Sequence, residues 1–351
     1  MQVNFDILVS GCNTECRHCY VNGGPGANMP SDAVFECIKK LDEIAAHLPF
    51  EACFTLDNEP MNHPDIVSII RAAAATKHIK HFHHGMTTGI ALMRRADRDE
   101  IIKAYIDNGF DEFGITLHGN AEHHNEIVSR NGAYQKAIEA AEYLKSRGAR
   151  ISVSLMFNRC FVDDAAELDG VLTALAPEFV YFAIPNFTPN SRMLGFEPYR
   201  ASYGDLVAIE AYLKKWCSGA DRIFQRAENG TVGAMIAQLE NGASLKERFE
   251  TEQDELYLSV HWDCELFLGN SGAETVSLGD LRSLDPERTA ELIMNRRGNR
   301  DYGAFYDAER LPDTESLISA LKRLDKGLVY CDPESVIHRG LAELGVPTLI
   351  L

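Results

Sequence analysis

The chain has 351 residues, of which 45% are hydrophobic and 25% are charged, and its 52 acidic residues against 34 basic ones give a formal net charge of −18. This balance argues against a broad nucleic-acid-binding surface, because phosphate binding relies on clustered Lys and Arg. No apolar run reaches the roughly 18 residues of a membrane-spanning helix, and the first residues lack the pattern of a signal peptide, so we expect a cytoplasmic protein.

The first 220 residues alternate between short apolar strands and amphipathic helices. Strands are predicted at 3–9, 51–56, 78–86, 111–118, 150–157 and 179–184, and the helices that follow them near 31–47, 64–75, 97–108, 132–147, 165–175 and 202–217. This alternation is typical of parallel strands joined by crossover helices, in a sheet that is covered on both faces. Polar residues come directly after the strands, so we predict an α/β fold, a partial (β/α)6 TIM-like barrel with its site at the strand carboxyl ends. An open doubly wound sheet is the alternative.

Beyond about residue 220 the alternation ends. Helices are predicted near 231–241, 283–294, 313–324 and 334–343, around a strand-rich stretch at 255–281. We therefore divide the chain into a barrel domain, residues 1–220, and a smaller α+β domain, residues 221–351, which is expected to cap the barrel.

Three cysteines follow the first predicted strand, in the sequence SGCNTECRHCYVNGG. Cys12, Cys16 and Cys19 form a C-x3-C-x2-C pattern, and the next cysteine is Cys37, inside a predicted helix. Structural zinc sites usually take four ligands, often from two separated cysteine pairs. Three close thiols instead suit a [4Fe–4S] cluster with one iron that has no protein ligand, although a zinc site or a chance spacing is the alternative. The glycine pair at 23–24 allows the backbone to approach a bound ligand closely.

The cysteine pattern after the first strand of a repeated β/α unit resembles the signature of the radical S-adenosylmethionine (SAM) superfamily. The resemblance implies that Cys12, Cys16 and Cys19 bind a [4Fe–4S] cluster whose open iron binds SAM. It further implies an oxygen-sensitive enzyme that reductively cleaves SAM to a 5′-deoxyadenosyl radical, which takes a hydrogen atom from a substrate. An electron donor such as flavodoxin or ferredoxin is the implied partner. His18 stands where the family usually has an aromatic residue, and its ring can still pack beside adenine.

Further stretches match positions at which the family binds SAM. FTLDNEP resembles the Gly-Gly-Glu-Pro stretch that holds the SAM amino group, so the resemblance assigns this role to Glu59, with Asp57 and Asn58 in place of the glycines. A polar turn before a helix is the alternative reading. The other implied SAM contacts follow the third, fourth and fifth strands and are Thr87, Thr88, Thr116, Arg130 and Asn158.

The C-terminal stretch VHWDCELFLGN resembles a degenerate SPASM/twitch extension. Such extensions hold auxiliary clusters through closely spaced cysteines, whereas only Cys217, Cys264 and Cys331 follow residue 200 here. We therefore expect no auxiliary cluster, which favours a redox-neutral reaction such as epimerisation, rearrangement, elimination or bond formation. Strand alternation puts Cys264 on one face with Trp262. We predict that Cys264 is catalytic and returns a hydrogen atom to the substrate radical; burial as a core residue is the alternative.

The expected substrate is a small polar metabolite, such as a sugar, an aminocyclitol or an amino-acid-derived compound. The first predicted strand begins almost at Met1, so we expect no fused leader-peptide-binding domain. A peptide-modifying maturase is the alternative. A non-catalytic iron–sulfur or zinc protein is the alternative from another class, and a set of SAM-binding residues distinguishes the enzyme from it, because a scaffold has no use for them.

Overall fold

The computed structural model describes residues 2–83, 86–189, 191–244, 255–269, 272, 274, 276–295, 305–306 and 310–349, with the backbone alone at 80–83 and 191. Its strands are Gln2–Ile7 (β1), Glu51–Leu56 (β2), Ile79–His83 (β3), Met86–Thr87 (β4), Glu112–Leu117 (β5), Arg150–Met156 (β6), Phe179–Ala183 (β7), Glu255–Val260 (β8), Glu265–Leu268 (β9) and Val276–Asp280 (β10). No helix within these ranges is long and apolar enough to cross a membrane.

The helices follow the strands in regular order through the first two thirds of the chain. They are Ser31–Ala45 (α1), Ile66–Ala74 (α2), Ile90–Arg94 (α3), Arg98–Asp107 (α4), Ala121–Ile127 (α5), Ala133–Ser146 (α6), Phe161–Leu175 (α7), Ser191–Phe196 (α8), Tyr203–Ala208 (α9), Glu210–Trp216 (α10), Ala220–Asn229 (α11), Val232–Glu240 (α12), Pro286–Asn295 (α13), Thr314–Leu321 (α14) and Pro333–Glu343 (α15). Short 3-10 helices lie at Pro60–Asn62, Glu197–Tyr199 and Leu281–Ser283.

The strands form two sheets, with the orders β10-β9-β8-β1-β2-β3 and β4-β5-β6-β7. Strands β1 to β3 pair in parallel, and so do β4 to β7. The predicted α/β fold with a partial barrel is confirmed. The third predicted strand, 78–86, differs in detail, because it corresponds to β3 in one sheet and β4 in the other.

The strands of the C-terminal region extend the barrel sheet along its first strand. β8 pairs in parallel with β1, from Gln2 opposite Glu255 to Ile7 opposite Val260, and β9 and β10 add antiparallel strands. Helices α12, α14 and α15 gather around a second apolar cluster that contains Tyr330. The boundary at residue 220 stays a prediction, but these three strands lie beside the barrel strands rather than across them.

Alternation along β1 shows how the sequence separates the core from the barrel interior. Val3, Phe5 and Ile7 are fully buried in the main apolar core. Each such side chain contributes about 1.5–3 kcal/mol by leaving water. Asn4 and Asp6 point to the opposite face, which is the inside of the barrel.

The expected alternation at 261–264 is wrong, because these residues form a turn between β8 and β9. Cys264 has a φ of 70° and its amide donates to the carbonyl of His261 at 2.8 Å. In a turn, side chains no longer alternate between two faces, so the position of Trp262 does not determine that of Cys264.

Candidate active site

A cavity of about 320 Å³ lies at the carboxyl ends of the parallel strands. Segments that follow β1 and β2 line it, together with β4 and the carboxyl ends of β5 and β6. The predicted site residues that line it are Cys12, Cys16, His18, Cys19, Asp57, Asn58, Thr87, Thr88 and Thr116. The structure therefore brings the three cysteines together with most of the implied SAM contacts.

The three thiols face this cavity from one loop. The hydroxyl oxygen of Thr14 lies 3.4 Å from Cys12 Sγ and 3.3 Å from Cys16 Sγ. The amide of Gly23 donates to Cys19 Sγ at 3.1 Å. Burial raises the pKa of Cys16 to about 12 and that of Cys19 to about 11. A metal centre bound here takes up thiolates, so its binding releases these protons.

Glycines hold the loop in this shape. A Cβ on Gly11 would lie 2.2 Å from the amide nitrogen of Gly26, and one on Gly23 would lie 2.5 Å from Asn58 Oδ1. The amide of Cys12 donates to the carbonyl of Gly24 at 2.7 Å. Larger residues at these glycines would push the backbone segments apart and move the thiols.

The donor set fits a [4Fe–4S] cluster better than a zinc ion. Within the described ranges, no three His, Cys, Asp or Glu side chains are arranged to hold a single metal ion. A cluster does not need such convergence, because each of its three thiolates binds a different iron. Asn58 Oδ1 and His18 Nδ1 are buried beside these thiols without a hydrogen-bond partner. Such orphaned groups suit a site completed by a bound molecule.

Glu59, to which the resemblance assigns the SAM amino group, is not among the residues that line the cavity. Its side chain is fully buried and accepts hydrogen bonds from Thr87 Oγ1 at 2.9 Å, Thr88 N at 2.8 Å and Thr88 Oγ1 at 2.7 Å. Burial raises the pKa of this carboxyl, and the threonine donors oppose the increase. Glu59 thus holds two residues that do line the cavity.

Asp57 is the carboxylate from this stretch that reaches the cavity wall. Its Oδ1 accepts the amide of Asn58 at 2.7 Å, and Asn58 has a φ of 62°, a left-handed conformation that asparagine tolerates. The turn directs Asp57 and Asn58 into the cavity while Glu59 turns away beneath it.

Arg130 and Asn158 also lie outside the cavity lining. The Arg130 guanidinium donates to the carbonyl of Asn13 at 2.5 Å and so braces the cysteine loop from outside. The Asn158 amide donates to the carbonyl of His118 at 2.7 Å and to that of Met156 at 3.1 Å, and its oxygen accepts the amide of Cys160. Both side chains are engaged with backbone, which leaves the implied SAM contacts without geometric support.

Three histidines form a row that the sequence did not reveal as a unit. His18 Nε2 lies 3.4 Å from His118 Nε2, and His118 Nδ1 lies 3.4 Å from His124 Nδ1. Burial lowers the pKa of His18 and of His124 to about 4, and that of His118 well below its usual value. All three are neutral at pH 7 and give the cavity an uncharged aromatic wall. His118 and His124 lie six residues apart in sequence, one directly after β5 and the other in α5, so no single helix or strand period links them.

Cys264 lies away from the cavity, so its predicted catalytic role has no geometric support. The thiol is buried and hydrogen-bonds with the thiol of Cys37 in α1. Both cysteines belong to the main apolar core on the helix side of the sheet. The physical reason is the turn at 261–264, which sends Trp262 to solvent and Cys264 inward.

Comparison with known proteins identifies relatives of this architecture. A family model described as "Radical SAM superfamily" matches residues 7–162. The structure is similar to that of anSMEcpe with bound AdoMet and the Cp18Cys peptide, with a TM-score of 0.58 and 13% identity over 98% of this chain and 97% of that one. It is also similar to Streptococcus suis SuiB bound to S-adenosylmethionine, with a TM-score of 0.56 and 13% identity over 94% of this chain and 75% of that one. SuiB bound to the precursor peptide SuiA gives the same TM-score at 14% identity over 94% of this chain and 74% of that one. Among curated proteins, no sequence matches.

Proposed function

Because residues 7–162 match the radical SAM superfamily model, we propose that the protein is a radical SAM enzyme that abstracts a hydrogen atom from a small polar metabolite held at the mouth of the barrel. The cofactors are a [4Fe–4S] cluster and SAM, as the resemblance implied. When bound and reduced by one electron, they supply the 5′-deoxyadenosyl radical that removes the hydrogen atom. The degenerate SPASM/twitch character of the C-terminal region stays a prediction.

One observation carries this proposal: the three thiols line the same cavity as the polar side chains of Asp57, Asn58, Thr88 and Thr116. Cys12, Cys16 and Cys19 hold the cluster. Asp57 takes the role first assigned to Glu59 and binds the ammonium group of SAM, because a carboxylate and an ammonium form a charge-assisted hydrogen bond. Thr88, held by Glu59, offers its hydroxyl oxygen as a further acceptor.

The remaining cavity contacts fall to side chains on neighbouring strands. Asn58 and Thr116 face the cavity and carry groups that hydrogen-bond ribose hydroxyls. Thr87 supports the turn through its bond to Glu59 and also lines the wall. His18 packs beside adenine through its neutral ring.

The position of the C-terminal cysteines supports a redox-neutral outcome. Cys217 donates to the carbonyl of Val180, Cys331 donates to Asp332, and Cys264 packs on Cys37. These thiols lie in separate parts of the described structure, so they do not supply a second cluster site together. We infer that the substrate radical is resolved by epimerisation, rearrangement, elimination or bond formation, none of which needs an internal electron acceptor.

A peptide is the second candidate substrate. Two similar structures carry peptides, namely anSMEcpe with Cp18Cys and SuiB with SuiA. A further cavity of about 470 Å³ adjoins the first, lined by Gly23, Asn58 and Trp262, whose indole is 62% exposed. A peptide chain entering there would reach the cysteine loop.

The test of the proposal is anaerobic reconstitution with iron and sulfide, followed by reduction with dithionite in the presence of SAM. We expect about four irons per chain, brown absorbance near 400 nm, and 5′-deoxyadenosine as a product, with about four irons being the content of this cluster type. The variant with Cys12, Cys16 and Cys19 all changed to Ala should lose the iron, the brown absorbance and the formation of 5′-deoxyadenosine. An intact cluster that never cleaves SAM would refute the enzymatic reading and leave the electron-transfer or scaffold alternative.

The role of Asp57 has its own measurement. Asp57→Asn should weaken SAM binding by roughly 10- to 150-fold, the equivalent of about 1.5–3 kcal/mol for one charge-assisted bond. The matched control is Asp107→Asn, since Asp107 lies on α4 in an exposed ion pair with Lys103. Equal SAM affinity in both variants would remove Asp57 from the binding site.

A further inference from the structure

Arg192 reaches the cysteine loop from the far end of the barrel. It lies in α8, which follows β7, the last barrel strand. Its Nη1 donates to the carbonyl of Gly23, and its Nη2 lies 3.7 Å from Glu15 Oε1. Gly23 in turn donates its amide to Cys19 Sγ at 3.1 Å. One residue therefore connects the guanidinium to a proposed cluster ligand.

The charge of Arg192 acts on the same sulfur. The guanidinium is separated from the Cys19 sulfur by Gly23 alone, so its positive charge favours negative charge on this sulfur. The Asp57 carboxylate lines the same cavity as Cys19, and its charge acts in the opposite direction. The Arg192 side chain is only 23% exposed, so solvent screens it incompletely.

The other arginine of the loop region behaves differently. Arg17 directly follows Cys16 in sequence, yet its guanidinium lies over the Tyr199 ring, 5.4 Å from the ring centre, and its Nε donates to the carbonyl of Glu126. Neither of these two contacts of Arg17 involves a cysteine of the loop. Proximity in sequence therefore does not decide which cation influences the site, and Arg17 provides a matched control.

We propose that Arg192 is a positioning residue that raises the reduction potential of the iron–sulfur cluster held by Cys12, Cys16 and Cys19. One-electron reduction of a [4Fe–4S] core from 2+ to 1+ adds one negative charge without making or breaking a bond. A cation nearby and an amide hydrogen bond to a cysteine sulfur both favour the more negative state. Arg192 contributes the cation and, through the Gly23 carbonyl, fixes the glycine whose amide reaches Cys19.

This inference rests on the proposed function only in that a cluster is bound. The test is an EPR-monitored potentiometric titration of the reconstituted holoenzyme without SAM, with dithionite as the reductant. Arg192→Gln should shift the midpoint potential to more negative values, whereas Arg192→Lys, which keeps the charge, should retain most of the wild-type potential. Arg17→Gln should leave the potential unchanged.

Glu15 gives a test with the opposite sign. Its carboxylate partly neutralises Arg192, so Glu15→Gln should shift the potential to more positive values while the arginine stays in place. Iron content is measured for every variant. A wild-type potential in Arg192→Gln overturns the inference. If Arg192→Gln fails to assemble a cluster, Glu15→Gln decides the question, and a wild-type potential in Glu15→Gln then overturns the inference. A wild-type protein that binds no cluster refutes the proposed function instead.

Discussion

Removal of Glu59 should destabilise the fold rather than weaken a direct contact with SAM. The carboxylate is fully buried and accepts from three donors, namely Thr87 Oγ1, Thr88 N and Thr88 Oγ1. A buried donor that is left unsatisfied costs about 1–3 kcal/mol, and Glu59→Ala leaves three such donors, of which the two on Thr88 are half-buried and partly reach water. We therefore expect Glu59→Ala to lower the free energy of unfolding by about 3–5 kcal/mol.

The assay is urea unfolding of the apoprotein, followed by circular dichroism, with Asp57→Ala as the comparison. Asp57 lines the cavity, so its removal should change the free energy of unfolding by less than about 1 kcal/mol. The free energy of unfolding of Glu59→Gln should lie between those of Glu59→Ala and Asp57→Ala, since glutamine keeps the side-chain volume but loses the charge. A Glu59→Ala variant that unfolds at the wild-type urea concentration and yet fails to bind SAM would refute this reasoning and restore Glu59 as the SAM contact.

Three further changes test separate parts of the structure. A Cβ on Gly114 would lie 2.1 Å from Met86 Sδ, so Gly114→Ala should push this thioether into the cavity and weaken SAM binding about tenfold, measured by calorimetry with the circular dichroism spectrum unchanged. Burial, and then Asp57, raise the pKa of Asp6 to about 8, so the folded state keeps a proton that the unfolded chain has lost above pH 4. The stability that Asp6 contributes is present below pH 4 and lost as the pH rises through 8. Asp6→Asn should therefore gain stability relative to the wild type between pH 5 and pH 9. Free energies of unfolding in urea that depend on pH in the same way for both proteins would contradict this. Cys264→Ala should lower the free energy of unfolding by about 1–2 kcal/mol, because a core contact is lost, and should leave 5′-deoxyadenosine formation intact. A change in the product formed from the substrate would support a catalytic role for Cys264.

Sequence reasoning located the barrel and the cysteine loop because both depend on local patterns. Apolar strands in regular alternation with helices leave few arrangements other than a parallel sheet. The radical SAM resemblance is confirmed, and the binding of the cluster by Cys12, Cys16 and Cys19 at the carboxyl end of β1 stays a prediction.

The differences between predicted and observed side-chain placement share one cause, which is that sequence does not give side-chain direction outside regular strands and helices. Asp57, Asn58 and Glu59 are consecutive, and only the left-handed conformation at Asn58 determines which carboxylate faces the cavity. The same holds at Cys264, where a turn replaces the expected strand. Arg192 is a different case, because its contact with Gly23 joins residues far apart in the chain, and no local pattern marks such a pair.

The pairing of β8 with β1 has a consequence for how the protein is made. Residues 2–7 leave the ribosome before their partner strand, which begins at Glu255. At about 5–20 residues per second, this strand is synthesised roughly 13 to 50 seconds later. Throughout that interval one edge of β1 has no partner from β8, and unpaired edges of this kind recruit other chains. The loop that carries the three cysteines follows directly from β1. We therefore expect chains cut short near residue 220, which lack β8, to aggregate more readily than the full chain.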